Sequence, residues 1–151
     1  MVALVLIIVC IVCTAFTGAF FKPGEWYVSL RKPSWTPPDW AFPVVWSLLY
    51  VAIAWSAWIM VRAEGFGLFM AVWVLQLLLN GSWSWLFFGK KRMDWAFIDV
   101  CALWLSIAML IALAWPVSSL AALLLVPYLV WVTIAATLNR RVWTMNPEQV
   151  P

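Results

Sequence analysis

Residues 95–138 read WAFIDVCALWLSIAMLIALAWPVSSLAALLLVPYLVWVTIAATL. This stretch holds one charged side chain, Asp99, and one break, Pro116-Val117-Ser118-Ser119. The runs on either side, 95–115 and 117–138, are each long enough to cross a hydrocarbon core, which takes about 20 apolar residues. So short a break makes the two helices antiparallel neighbours. The unit of the fold is therefore a transmembrane hairpin.

Working outward, three more runs have the same character: 2–21, 43–61 and 66–88. Arg62-Ala63-Glu64-Gly65 and Gly89-Lys90-Lys91-Arg92 separate neighbours, and the longer segment 22–42 carries Pro23, Gly24, Pro33, Pro37 and Pro38. The first run has no basic residues before it, unlike a cleaved leader, and reads as a retained helix. The expected fold is an all-α integral membrane protein: a single domain over 1–151, with five transmembrane helices and a Trp/Pro-rich lid loop at 22–42.

Composition agrees. The 151 residues are 67% apolar and 10% charged, with mean hydropathy +1.00, against about 25% charged in a soluble domain. No histidine is present, which excludes Ser-His-Asp chemistry and His-ligated metal or haem. A net charge of +3 spread over so few ionic residues gives no nucleic-acid face. No metal site is expected. Cys10 and Cys13 are three apart but lie in Val/Ile-rich sequence with no second ligand pair, so they read as small apolar packing residues, as does Cys101.

The Lys/Arg bias sets the expected orientation. One side carries only Arg62. The other carries Lys22, Arg31, Lys32, Lys90, Lys91, Arg92, Arg140 and Arg141. This places the N-terminus outside, and the loop 22–42 and the C-terminus in the cytoplasm.

Polar residues inside spans mark the bundle interior. Gln76, Asn80 and Trp83 recur on one helical face of the third span, and Trp46 and Tyr50 share one on the second. Asp99 with Ser106, and Tyr128 with Trp131 and Ala135, do so on the fourth and fifth. At 1.5 Å per residue, Asn80 and Trp131 lie about 12 Å from the cytoplasmic ends of their helices, Tyr50 about 10 Å and Asp99 about 6 Å. The polar and aromatic groups therefore share one slab beneath the lid, the layout of an aromatic pocket with a few orienting donors. Trp26, Trp95, Trp115 and Trp143, at span ends, read as an interfacial belt. Gln76 and Asn80 either face a ligand or bond across helices. Asp99 caps a backbone, pairs with Arg31 or Lys32, or relays a proton, as a small secondary transporter requires. Gly67 and Ala71 form a small-x-x-x-small pair suited to a homodimer contact through the third span.

Residues 32–50 read KPSWTPPDWAFPVVWSLLY. They closely resemble the K-P-x-W-x-P-P-x-W-x-F-P-x-x-W-x-x-L-Y signature of the tryptophan-rich sensory protein family (TspO, the translocator or peripheral benzodiazepine receptor family). Gln76, Asn80, the 83–88 aromatic run and the 126–139 block fit the same family, and the similarity covers essentially the whole chain. The resemblance implies a five-helix bundle, usually dimeric. It also implies binding of protoporphyrin IX, haem and synthetic isoquinoline carboxamide or benzodiazepine ligands, with the porphyrin as ligand rather than covalent cofactor. The family's pocket positions fall on Tyr27, Trp46, Tyr50, Asn80, Trp83, Trp131 and Ala135, and its acidic position on Asp99. Trp35 and Phe42, in the matching loop, join the expected ligand-binding set. Some bacterial members degrade protoporphyrin IX in light. Were that so here, Trp46 and Trp131 would be the catalytic pair. The animal sterol pattern in the fifth span fails, because no basic residue follows Tyr128 before Arg140. A porphyrin is a flat apolar disc with two carboxylates. Indole faces suit the disc, and Lys22, Arg31 and Lys32 on the lid are expected to meet the carboxylates.

Overall fold

A computed structural model describes residues 1–149 of the chain. Its helices are α1 (Val2–Phe20), a short α2 (Glu25–Ser29), α3 (Ala41–Glu64), α4 (Leu68–Ser84), α5 (Met93–Ala114) and α6 (Ser119–Met145). α4 continues through a π-helical turn, Trp85–Gly89, and a 3-10 turn, Pro147–Gln149, follows α6. Five of these helices are long and apolar enough to cross a membrane. No strand is present among the described residues.

Local chemistry explains the boundaries. Gly65 ends α3 at φ +73°, the left-handed region glycine enters without a Cβ penalty. The Ser118 side chain caps α6 by accepting the Ala121 N–H at 3.2 Å. α3 starts at Ala41, two residues before Pro43, which sits in the first turn where no N–H is needed. The loop 22–42 is not wholly irregular, because α2 lies within it. α6 does not stop at residue 138 but runs on through Asn139, Arg140 and Arg141. Asn139 is buried against α5, and the two arginines are exposed. A helix need not end where its apolar run ends.

The long helices form a ring in the order α1, α4, α5, α6, α3, closed by α3 against α1, with α3 also touching α4. Without a hydrophobic drive between helices in lipid, close packing and interhelical hydrogen bonds hold such a bundle. Fully buried alanines sit where the helices meet: Ala57 on α3, Ala114 on α5, and Ala121 and Ala122 on α6. Ser56 Oγ donates across to Ala121 O at 2.9 Å, and Trp73 Nε1 to Ile53 O at 3.3 Å. α1 is peripheral, burying only Ile7 and Thr14. It meets α4 closely at Gly81, where a Cβ would lie 3.3 Å from Thr17 Oγ1.

Candidate functional site: an aromatic and amide assembly at the lid end

α3, α4 and α6 each contribute a polar group to one chain of hydrogen bonds. Tyr50 Oη donates to Asn80 Oδ1 at 3.2 Å. Asn80 Nδ2 donates to Tyr128 Oη at 2.9 Å, and that hydroxyl donates to Gln76 Oε1 at 2.9 Å. Gln76 and Asn80 meet there because they are four apart on α4. Tyr128 and Gln76 are fully buried, and Gln76 Nε2 has no partner among the described residues. Trp46 walls this chain, with its ring 5.5 Å from that of Tyr50 and edge-to-face with Tyr128 at 6.0 Å. Closer to the start of α3, Phe42 packs edge-to-face on Trp131 of α6 at 5.6 Å.

A second aromatic cluster lies at the same end. Trp83 stacks on Phe87 at 5.2 Å, and Tyr27 from α2 packs edge-on against Phe87 and Phe88 at 6.1 and 5.5 Å. The wide π turn carries both phenylalanines to the lid. Trp83 Nε1 donates to Asn139 Oδ1 at 3.0 Å, and Asn139 Nδ2 donates to Met93 O at 2.8 Å. Burial, and next the negative charge of Asp39, push the Tyr27 phenol above its ordinary pKa. It is therefore neutral at physiological pH.

The lid is fastened to the end of α6. Asn146 Oδ1 accepts the Arg31 N–H at 2.9 Å, and Asn146 Nδ2 donates to Arg31 O at 2.9 Å and to Val142 O at 2.7 Å. Arg31 also pairs with Glu148 at 2.8 Å.

The expected site residues therefore separate into groups. Trp46, Tyr50 and Asn80 come together, joined by Tyr128 and Gln76. Phe42 and Trp131 form a neighbouring pair, and Ala135 is half-buried on α6. Tyr27 and Trp83 belong to the second cluster. Trp35 is 47% exposed and lines an outer concavity of about 400 Å³ with Pro37, Thr133, Ile134 and Thr137.

One expected partnership is corrected. Asp99 pairs with neither Arg31 nor Lys32, because its Oδ1 accepts from Ser82 Oγ on α4 at 2.6 Å. That partner sits on the facing helix and needs no desolvated cation. The Arg31 guanidinium is engaged by Glu148. Lys32 Nζ is folded onto the end of α2, donating to Tyr27 O at 2.6 Å and Leu30 O at 3.2 Å, and lies 4.6 Å from the Tyr27 ring centre. Both cations thus have partners within the protein. Gly67 and Ala71 are both exposed, and nothing lies within 4 Å of a Cβ built on Gly67.

Asn139 and Asn146 were not anticipated. They continue the face of Tyr128 and Ala135 at helical spacing, and carrying that periodicity past residue 138 would have found them.

The chain matches the model of the TspO/MBR family over residues 4–144. It is 42% identical to Protein CrtK of Rhodobacter capsulatus, over 92% of this chain and 89% of that one. It is 40% identical to the Tryptophan-rich sensory protein of Cereibacter sphaeroides, over 87% and 84%. It is 39% identical to the Translocator protein of Homo sapiens, over 87% and 82%. With five apolar helices in one bundle and this match along nearly its whole length, the chain is an integral multi-pass membrane protein that belongs to the TspO/MBR family.

Proposed function

We propose that this protein is a membrane receptor or translocator for tetrapyrroles, such as protoporphyrin IX and haem, and for other flat hydrophobic molecules. The observation that carries the reading is the convergence of Trp46, Tyr50 and Tyr128 with Asn80 and Gln76, beside the Phe42–Trp131 pair and beneath the lid. The names of the relatives, tryptophan-rich sensory protein and translocator protein, support it. Broad ring faces suit a planar macrocycle, and the buried amides supply the few polar groups that orient it. The same reading puts the lid and the C-terminus in the cytoplasm, because eight of the nine basic residues lie at that end of the bundle.

The test is a protoporphyrin IX titration of the full chain in nanodiscs, read by tryptophan fluorescence and by native mass spectrometry. Saturable quenching with a one-to-one adduct is expected, and Trp131→Ala should weaken it by roughly tenfold or more. Quenching that never saturates, with no adduct, would overturn the proposal.

A further inference from the structure

The turn from α4 to α5 reads Gly89-Lys90-Lys91-Arg92. It is folded back on the helix end: the Lys90 N–H donates to Trp85 O at 2.8 Å, the Arg92 N–H donates to Leu86 O at 3.0 Å, and Lys91 takes φ +56°. Arg92 is neutralised by Asp94. Lys90 and Lys91 are exposed and have no carboxylate partner among the described residues, where the only ion pairs are Arg31–Glu148 and Arg92–Asp94. Each is instead held over an indole: Lys90 Nζ is 5.4 Å from the Trp85 ring centre, and Lys91 Nζ 5.9 Å from that of Trp26.

A third cation reaches the same corner. The Phe21 ring lies 3.0 Å from where a Cβ on Gly89 would stand, so the end of α1 is pressed on the end of α4. Lys22 follows Phe21, is exposed, and has no carboxylate partner among the described residues. Three lysines outside any ion pair among the described residues thus stand on adjoining chain segments, with the exposed Glu25 three residues beyond Lys22. The apolar side chains beside them, Phe20 and Trp85, are exposed on the flanks of the two helices.

We propose that this corner binds the headgroup of an anionic phospholipid. Lys22, Lys90 and Lys91 take the phosphate, and the acyl chains lie against Phe20 and Trp85. Ammonium groups suit it because each offers three rotatable donors to phosphate oxygens. Indoles suit it because they rest at headgroup depth and fix the height of the cations above them. Arg140 and Arg141 make the contrast. They are exposed at the same end, yet neither lies over an indole among the described residues.

The experiment is native mass spectrometry of the full chain, titrated with phosphatidylglycerol or with phosphatidylcholine of the same acyl chains. Saturable phosphatidylglycerol adducts are expected, favoured over phosphatidylcholine by about tenfold, with roughly a fivefold loss of affinity for each lysine neutralised. K90Q/K91Q should abolish the preference. R140Q/R141Q, which removes the same charge, should keep it. Thermal unfolding in detergent, unchanged in both variants, shows that each is folded, and K22Q supplies an independent partial loss. Equal losses from the two double variants would overturn the proposal in favour of diffuse attraction. So would absence of the phosphatidylglycerol preference in the wild type. Displacement of the lipid by millimolar inorganic phosphate would also overturn it, because the corner would then be a free-anion site.

Discussion

Asn146 brackets the backbone of Arg31. One side-chain amide satisfies both the N–H and the carbonyl of a residue 115 positions earlier, each at 2.9 Å. Asn146 is 2% exposed, so water replaces these bonds poorly. The lid is therefore held to the end of α6 by two neutral bonds at one point.

Asn146→Ala should release the lid. Each lost bond is worth about 0.5–1.5 kcal/mol, so Arg31 amide exchange should quicken by about tenfold or more. Hydrogen exchange of residues 22–40 in detergent measures it. Unchanged protection of Arg31 would show that the lid is held elsewhere.

The Arg31–Glu148 pair adds a pH-dependent strand to that tie. Backbone N–H bonding at Glu148 itself, and then the Arg31 guanidinium, hold its carboxyl below the usual range. A carboxyl with a lowered folded pKa contributes above its unfolded pKa, about 4.3, and loses that contribution as pH falls through the folded value. The pair is exposed, so its share is small. Lid protection should stay flat from pH 6 to 8, and dip only slightly below about pH 4, where the amide bonds persist. Proteolysis of the lid with an acid-active protease, compared in wild type and Glu148→Gln, reads this directly. A dip equally deep in Glu148→Gln would assign it to another group.

Tyr128→Phe should cost more than its single oxygen suggests. The hydroxyl accepts from Asn80 and donates to Gln76, and all three residues are buried. Its removal strands two polar groups, at about 1–3 kcal/mol each before relaxation. Asn80→Leu should likewise lower thermal stability, since both its amide atoms are spent on Tyr50 and Tyr128. A melting temperature unmoved by either variant would mean that water fills the gaps.

Gly67→Leu separates assembly from folding. The site is exposed and open, so a leucine is accommodated within the protomer. If α4 lies at a homodimer contact, the detergent-solubilised mass should fall to monomer with no loss of melting temperature. A dimer that survives the change places the contact on another helix.

The five-helix bundle was readable because lipid imposes a length and a composition on every crossing segment. The meeting of Gln76 and Asn80 on one face was readable because their spacing is helical. Partners were harder. Ser82 looks like any small residue in an apolar run, yet it takes Asp99, which sequence reasoning assigned among other uses to a lid cation. Lys32 and Arg31 looked free because folding of α2 and the reach of residue 148 leave no periodic trace. The π turn at Trp85–Gly89 is invisible to a pattern of fixed period, and it decides where Phe87 and Phe88 point.

The chain from Tyr50 through Asn80 and Tyr128 to Gln76 has a direction: every donor points inward, and it terminates in an amide whose N–H bonds are unspent. An arriving carbonyl or carboxylate extends such a chain, each bond polarising the next. An arriving ammonium, which can only donate, meets the wrong end. Turning both amides through 180° reverses every arrow and keeps every bond, leaving the Gln76 carbonyl as the terminus. Four side chains thus store one binary choice, acceptor-seeking or donor-seeking, and two amide rotations rewrite it without moving a helix.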